Sequence, residues 1–183
     1  MSALYQKHRE TLAKAIDACN YRYAWTAYPE SPSSKIWGQE PPVAGKARFD
    51  ALLGTDYPLQ QPGEVGRTGA EVSPYTGEPL GISYPKMDTN RLYEAIALAM
   101  PQWRDAAPET RIGVCLEILD RCAGQLFENA HATMHTSGQS YIMAFAGSGA
   151  NALDRGLEAL AYASKAMADV PATAEWERQF GKA

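Results

Sequence analysis

Between Asp88 and Met167 the apolar residues return at helical spacing in four successive segments, each with its own stop signal. A chain built this way has a helical second half. Asp88 suits the N-cap of a helix carrying Leu92, Ala95, Ile96, Ala99 and Trp103, which Pro101 is expected to end or kink. Pro108 fits the first turn of the next, where Ile112, Cys115, Leu116, Leu119 and Cys122 form one stripe and Gly124 closes it. A shorter helix runs from Leu126 to His135 and stops at Ser137-Gly138. The last, capped by Asn151, holds Leu153, Leu157, Leu160 and Met167 and ends before Pro171.

The first half is more varied. Residues 3 to 19 place Leu4, Leu12, Ala15, Ile16 and Cys19 on one helical stripe, with Asn20 as the stop. From Tyr21 to Pro42 the chain is rich in proline and aromatic residues, among them Tyr23, Trp25, Tyr28 and Trp37, which favours an extended arm. Exposed aromatics of this kind suit a peptide or sugar site, but anchoring of the arm to its own domain or a neighbouring subunit is the better reading. A short helix is expected from Val43 to Leu53, ended by Gly54. From Glu64 to Tyr84, Val65, Val72, Leu80, Ile82 and Tyr84 sit in short runs around the turn-forming Ser73 to Glu78, which predicts two strands joined by a loop. An isolated hairpin is marginal in water and needs a sheet from elsewhere.

The chain is therefore expected to be mainly α-helical with one β-hairpin, divided into a helix and arm over 1–62, the hairpin over 63–86 and a helical part over 87–183. With 45% hydrophobic and 21% charged residues it belongs to the globular class. Its net charge of -4 is spread without a basic run, so nucleic acid is not an expected partner. Cys19, Cys115 and Cys122 follow no metal or disulfide spacing, which points to a reducing, cytoplasmic setting. Lys7 to Glu10 interrupt any apolar leader, and no apolar run approaches spanning length, so no membrane association is expected.

Four constellations invite chemistry and are better read without it. His131 and His135 lie one helical turn apart like a zinc pair, but Ala132 stands where a metalloprotease has its general-base Glu, and a solvated helix face is expected. Gly147 to Ala152 fits G-x-G-x-x-A after Tyr141 to Phe145, yet no second apolar strand follows, so it reads as a small-residue break between helices. Cys115 and Cys122 sit on an apolar stripe and read as core. The acids Glu94, Glu109, Glu117, Asp120 and Glu128 form no convergent pair for acid and base work. Taken alone, the residues support no reaction.

The order of motifs from Ser73 onward is similar to the N-terminal region of the aldehyde dehydrogenase superfamily. It is carried by Pro74-Tyr75-Thr76-Gly77-Glu78, Asp88, Trp103-Arg104, Pro108-Glu109-Thr110-Arg111, Thr136-Ser137-Gly138-Gln139 and Leu157 to Ala163. Within that superfamily the chain resembles the phenylacetic acid degradation (PaaN, ring-opening) type. There the carrying stretches are His135 to Gln139, Met143-Ala144-Phe145, Asp154 to Ala159, Tyr28-Pro29-Glu30 and Gly63 to Gly66.

The resemblance implies an α/β parent fold that uses NAD or NADP to oxidise an aldehyde, here a CoA-linked semialdehyde. The family's Pro-Trp-Asn, Glu-Leu-Gly-Gly and nucleophilic cysteine come later in the chain than Ala183, so no catalytic or cofactor-binding residue carries over. The 183 residues alone are expected to be inactive, to hold no cofactor, and to associate with themselves or with the remainder of the parent subunit. The helix holding Leu157 to Ala163 corresponds to one that turns a face to the substrate tunnel. That alignment puts Asn151 and Arg155 on this face, where a polar pair suits a carboxylate or CoA thioester with Arg155 as its anion partner. The plainer alternative makes Asn151 a cap and Arg155 a surface charge. From a different class, a self-contained helical protein-interaction module also fits the residues.

Overall fold

The computed structural model describes residues 2–171 and 173–181. The chain is mainly helical with a two-stranded antiparallel sheet. α1 (Ala3–Tyr21) starts at Ser2, whose hydroxyl accepts from the Tyr5 amide, and turns His8, Leu12 and Ala15 inward. It packs against α5 (Pro108–Ala123) and α8 (Asn151–Ala168), and those two helices also pack on each other.

The arm is less extended than its prolines suggest. Ser33 caps one helical turn, α2 (Ser34–Trp37), and the Trp37 indole donates to the Ser31 carbonyl at 2.9 Å. α3 (Glu40–Leu52) begins ahead of the expected Val43, because Pro41 and Pro42 fall in its first turn, where a missing amide hydrogen costs nothing. The anchoring expectation holds for Tyr28, which is buried, and for Trp37, whose ring meets Phe127 and Phe145 edge-on at 5.9 Å. Tyr21 and Tyr23 remain exposed.

β1 (Glu64–Thr68) pairs with β2 (Tyr84–Met87). The second strand lies beyond the expected Leu80 and Ile82. Those two side chains turn down with Phe49 of α3 into a small second core, and only the bridge between Val72 and Pro79 continues the pairing toward the turn. Inside that turn Ser73 is buried, and its hydroxyl accepts from the amides of Tyr75 and Thr76.

α4 (Thr89–Asp105) is capped as expected, the Asp88 carboxylate accepting from the amides of Asn90 and Arg91. It runs through Pro101 to Asp105 rather than ending there. One lost amide donor near the C-terminal end is tolerated by a helix already nucleated upstream. None of its residues is buried, and Tyr93, Ile96, Leu98, Met100 and Trp103 are all exposed. α6 (Leu126–Ser137) lies on α3 and stops at Gly138, which adopts the left-handed conformation.

α7 (Tyr141–Phe145) does not end at the glycines. Ala146–Ala150 forms a π-helical turn that passes directly into α8, so the expected break is a bulge inside one long helix. Asn151 consequently caps nothing. The main core is centred on Phe145, fully buried among Phe127, Leu126, Leu12, Leu116 and Leu157.

Candidate functional site

A cleft of about 630 Å³ opens between the C-terminal half of α1, the arm from Arg22 to Glu30, and α8. Asp154 of α8 pins the arm over it, accepting the Thr26 hydroxyl and, at 3.2 Å, the Ala27 amide. Asn151 adds a second clasp, its Nδ2 donating to Glu30 Oε1 at 2.9 Å. Arg155 lines the cleft and pairs with Glu158 one turn on. The two site residues expected from the sequence thus flank the same arm, Asn151 as a clasp and Arg155 on the wall. Arg22, Tyr23 and Trp25 complete the walls; the two aromatics belong to the arm weighed as a peptide or sugar site, whereas Arg22 did not figure in the sequence reading. The crowding of aromatics in the arm was the available signal.

Two of the acids that looked merely solvating, Glu117 and Asp120, do converge, on Lys7. Glu117 Oε2 lies 2.8 Å from Lys7 Nζ and 2.8 Å from His8 Nε2, while its Oε1 accepts from Arg121 Nε at 2.9 Å. Lys7 also reaches Asp120 Oδ2 at 3.0 Å. Lys7 and His8 belong to α1, which no local pattern in the sequence brings to α5. His8, Glu117 and Asp120 present their ligand atoms within 4.8 Å of one another, the separation a metal ion needs. The Lys7 ammonium, however, already bonds both carboxylates, so the arrangement is an ion-pair knot fastening α1 to α5.

Lys7 above all, then His8 and Arg121, holds the Glu117 carboxyl down to about 2 from its ordinary 4.5. A carboxyl depressed on folding stabilises the protein fully above pH 4.5, and loses that contribution as the pH falls through about 2. Denaturation midpoints measured downward from about pH 6 are therefore expected to fall less steeply for Glu117→Gln. The variant starts lower, and the two curves converge at the acid end. Parallel curves would remove Glu117 from the acid limb.

The histidine pair is not a solvated face. Phe49 stacks on His131 at 6.1 Å and on His135 at 5.1 Å, and His135 Nδ1 lies 2.8 Å from the Ser73 hydroxyl. Tyr141 closes on His131 at 4.9 Å. Burial, followed by the nearby Lys46, lowers the His131 pKa, which keeps the ring in its neutral, stacking form. The pair staples α6 to α3 and to the hairpin turn. Cys115 and Cys122 are only half-buried, and it is Cys19 that packs on the main core.

The Gly147 to Ala152 segment offers no phosphate cradle. Tyr141 to Phe145 before it is helix, Ala150 is fully buried, and a Cβ on Gly149 would stand 2.9 Å from Leu126 Cδ2. Its small residues let the bulged helix approach α6. This segment therefore does not fit a dinucleotide. No helix among the described residues is long and apolar enough to cross a membrane.

No protein-family model and no curated protein matches the chain. The crystal structure of an NAD-dependent aldehyde dehydrogenase from Burkholderia multivorans does, with a TM-score of 0.92 and 43% sequence identity over 100% of this chain. The chain spans 32% of the length of that neighbour. Sequence motifs and three-dimensional course agree: from end to end the chain is similar to about a third of an aldehyde dehydrogenase.

Proposed function

We propose that these residues are the N-terminal structural and oligomerisation portion of a cytoplasmic, NAD(P)-dependent aldehyde dehydrogenase of aromatic (phenylacetate) catabolism. The parent has an α/β fold and oxidises a CoA-linked semialdehyde to the acid. The observation that carries the reading is the likeness along the whole chain, 43% identical, to part of an NAD-dependent aldehyde dehydrogenase. Two features support a role beside further protein. α4 leaves its apolar residues uncovered, and the β1–β2 hairpin has no third strand among the described residues. This chain's own contribution is to position α8, with Arg155 as the partner of an anionic group on the substrate and Asn151 holding the arm in place.

The test has two arms. Calorimetric titration of the 183-residue chain with NAD and NADP is expected to give no saturable heat, because the helical Gly147 to Ala152 segment offers no cradle. A one-to-one isotherm at micromolar concentration would overturn the reading. In a longer protein carrying this segment, Arg155→Ala is expected to lower kcat/KM for a CoA-linked aldehyde about tenfold and to spare a small neutral aldehyde. An equal effect on both substrates would take Arg155 out of the substrate path.

A further inference from the structure

The buried hydroxyl of Ser73 fixes the protonation state of a histidine 62 residues away. Ser73 is 1% exposed, so bulk water does not reach its side chain. Its Oγ accepts from the amides of Tyr75 at 3.2 Å and Thr76 at 3.3 Å, which takes both acceptor positions of a hydroxyl. The hydroxyl hydrogen is left to donate, and His135 Nδ1 stands 2.8 Å away. Nδ1 is therefore the bare nitrogen of a neutral ring whose proton sits on Nε2. In the imidazolium form Nδ1–H would face an oxygen already filled, and the Ser73 hydrogen would lose its acceptor.

The surroundings give a charged ring nothing in return. Phe49 of α3 stacks on His135 at 5.1 Å, and Tyr75 of the turn meets it edge-on at 6.0 Å. His131, one turn earlier on α6, stacks on the same phenyl ring, and Tyr141 of α7 closes on His131. The charged groups nearby are Lys46 and Asp50 of α3, which act on His131 and already pair with each other at 2.6 Å. Burial first, then Lys46, keeps His131 neutral as well.

The turn over 73–78 holds together by itself. The Ser73 amide donates to the Glu78 carbonyl at 2.9 Å, and the Gly77 amide to the Ser73 carbonyl at 2.8 Å. Beyond the turn, Leu80 and Ile82 are anchored in the second core, and β1 stays paired with β2. The turn is fastened to α6 and the residues after it by the Ser73–His135 bond and by the Tyr75 hydroxyl, which donates to the Gln139 carbonyl at 2.7 Å.

We infer that neutral His135 is a latch holding this turn against α6, and that mild acid opens it. Above about pH 6.5, the ordinary value for a histidine, the latch is closed. Below it a proton competes with the Ser73 hydroxyl for Nδ1, and the turn swings out as a unit. A free histidine at pH 5.5 is about ten to one protonated, so the open population is expected to rise about tenfold between pH 7.5 and 5.5. The latch needs neither cofactor nor turnover and stands apart from the dehydrogenase reading.

Two measurements on the 183-residue chain test it. Nitrogen-15 spectra of the labelled histidine rings at about pH 7.5 are expected to show His135 with a bare Nδ1 and a proton on Nε2. A proton on Nδ1 would overturn the assignment, and this measurement needs no variant. Amide hydrogen exchange, corrected for its intrinsic pH dependence, is expected to show the Tyr75 and Thr76 amides, which Ser73 Oγ covers, losing about tenfold in protection between pH 7.5 and 5.5. The Leu157 amide in the main core keeps its protection over the same range. In His135→Asn, whose side-chain carbonyl accepts in place of Nδ1 and does not titrate, the loss is expected to vanish. In His131→Phe, which keeps a ring on Phe49, it is expected to remain. Protection independent of pH in the parent, a parallel fall at Leu157, or the same fall in His135→Asn would each overturn the latch.

Discussion

Phe145→Ala is expected to cost about 3–5 kcal/mol of stability, the largest loss of any single substitution considered. Phe145 has no exposed surface, and its ring lies 4.7 Å from Phe127 and 5.9 Å from Trp37. It stands where α7, the arm and α6 meet, so removing the ring opens a void that three elements would have to close together. They are poorly free to do so. Two of them are fastened elsewhere, the arm by the bonds of Thr26 and Ala27 to Asp154 and α6 by the histidines stacked on Phe49. In a domain of this size the loss corresponds to a fall in Tm on the order of 10 °C. Phe180, 79% exposed in the C-terminal segment, is the internal control, and Phe180→Ala is expected to change stability by less than about 0.5 kcal/mol. Urea unfolding of the two variants side by side decides the matter. Similar losses would mean that Phe145 is not the centre of the core.

Gly45→Ala is expected to destabilise by about 1–3 kcal/mol, although alanine is the better helix former by about 1 kcal/mol. A Cβ built on Gly45 would stand 2.4 Å from Phe127 Cβ and 2.9 Å from the Glu128 amide nitrogen. Here α3 meets the backbone of α6, and the obstruction is the start of a helix rather than the tip of a flexible side chain. The methyl group can fit only if the helices separate. Separation would strain the Arg48–Glu128 ion pair at 2.9 Å and the stack of Phe49 on the two histidines. Gly156→Ala gives the contrast, because its Cβ would meet only Leu119 Cδ2, at 3.0 Å, which can rotate away. Chemical denaturation should therefore rank Gly45→Ala well below Gly156→Ala. A Gly45→Ala protein more stable than the parent would show that propensity outweighs the contact.

These two substitutions also mark what could be seen ahead of the structure. Phe145 was legible only as part of a Tyr141 to Phe145 segment that passes for a strand, and nothing in its neighbours announces that the following glycines continue a helix. Gly45 carries no signal of its own. Close approach of helices is a property of the pair, and the partner's position is set about eighty residues later, at Phe127.

The functional residues divide in the same way. Asn151 and Arg155 were reached through the family resemblance of their helix, and in the structure Asn151 clasps the arm while Arg155 lines the cleft. The clasps on the arm could not be reached so, because they join Glu30 to Asn151 and Thr26 to Asp154 across more than a hundred residues. The Glu117 knot was hidden for the same cause, with His8 lying 109 residues away in sequence.

By itself the sequence determined the helices and most of their ends, because Ser, Asp, Pro and Gly act on the few backbone groups beside them: Asp88 caps α4, Pro108 opens α5, Gly138 closes α6. It also determined that the arm's Trp37 would be anchored and that a hairpin would surround Ser73 to Glu78. Tertiary structure alone decided that Leu80 and Ile82 leave the ladder for a second core and that Ala146–Ala150 bulges instead of breaking. It likewise decided that two histidines stack rather than face water. The physical reason is one of range. Caps and turns are satisfied within four residues, whereas burial, stacking and charge pairing depend on groups that only the folded chain brings together.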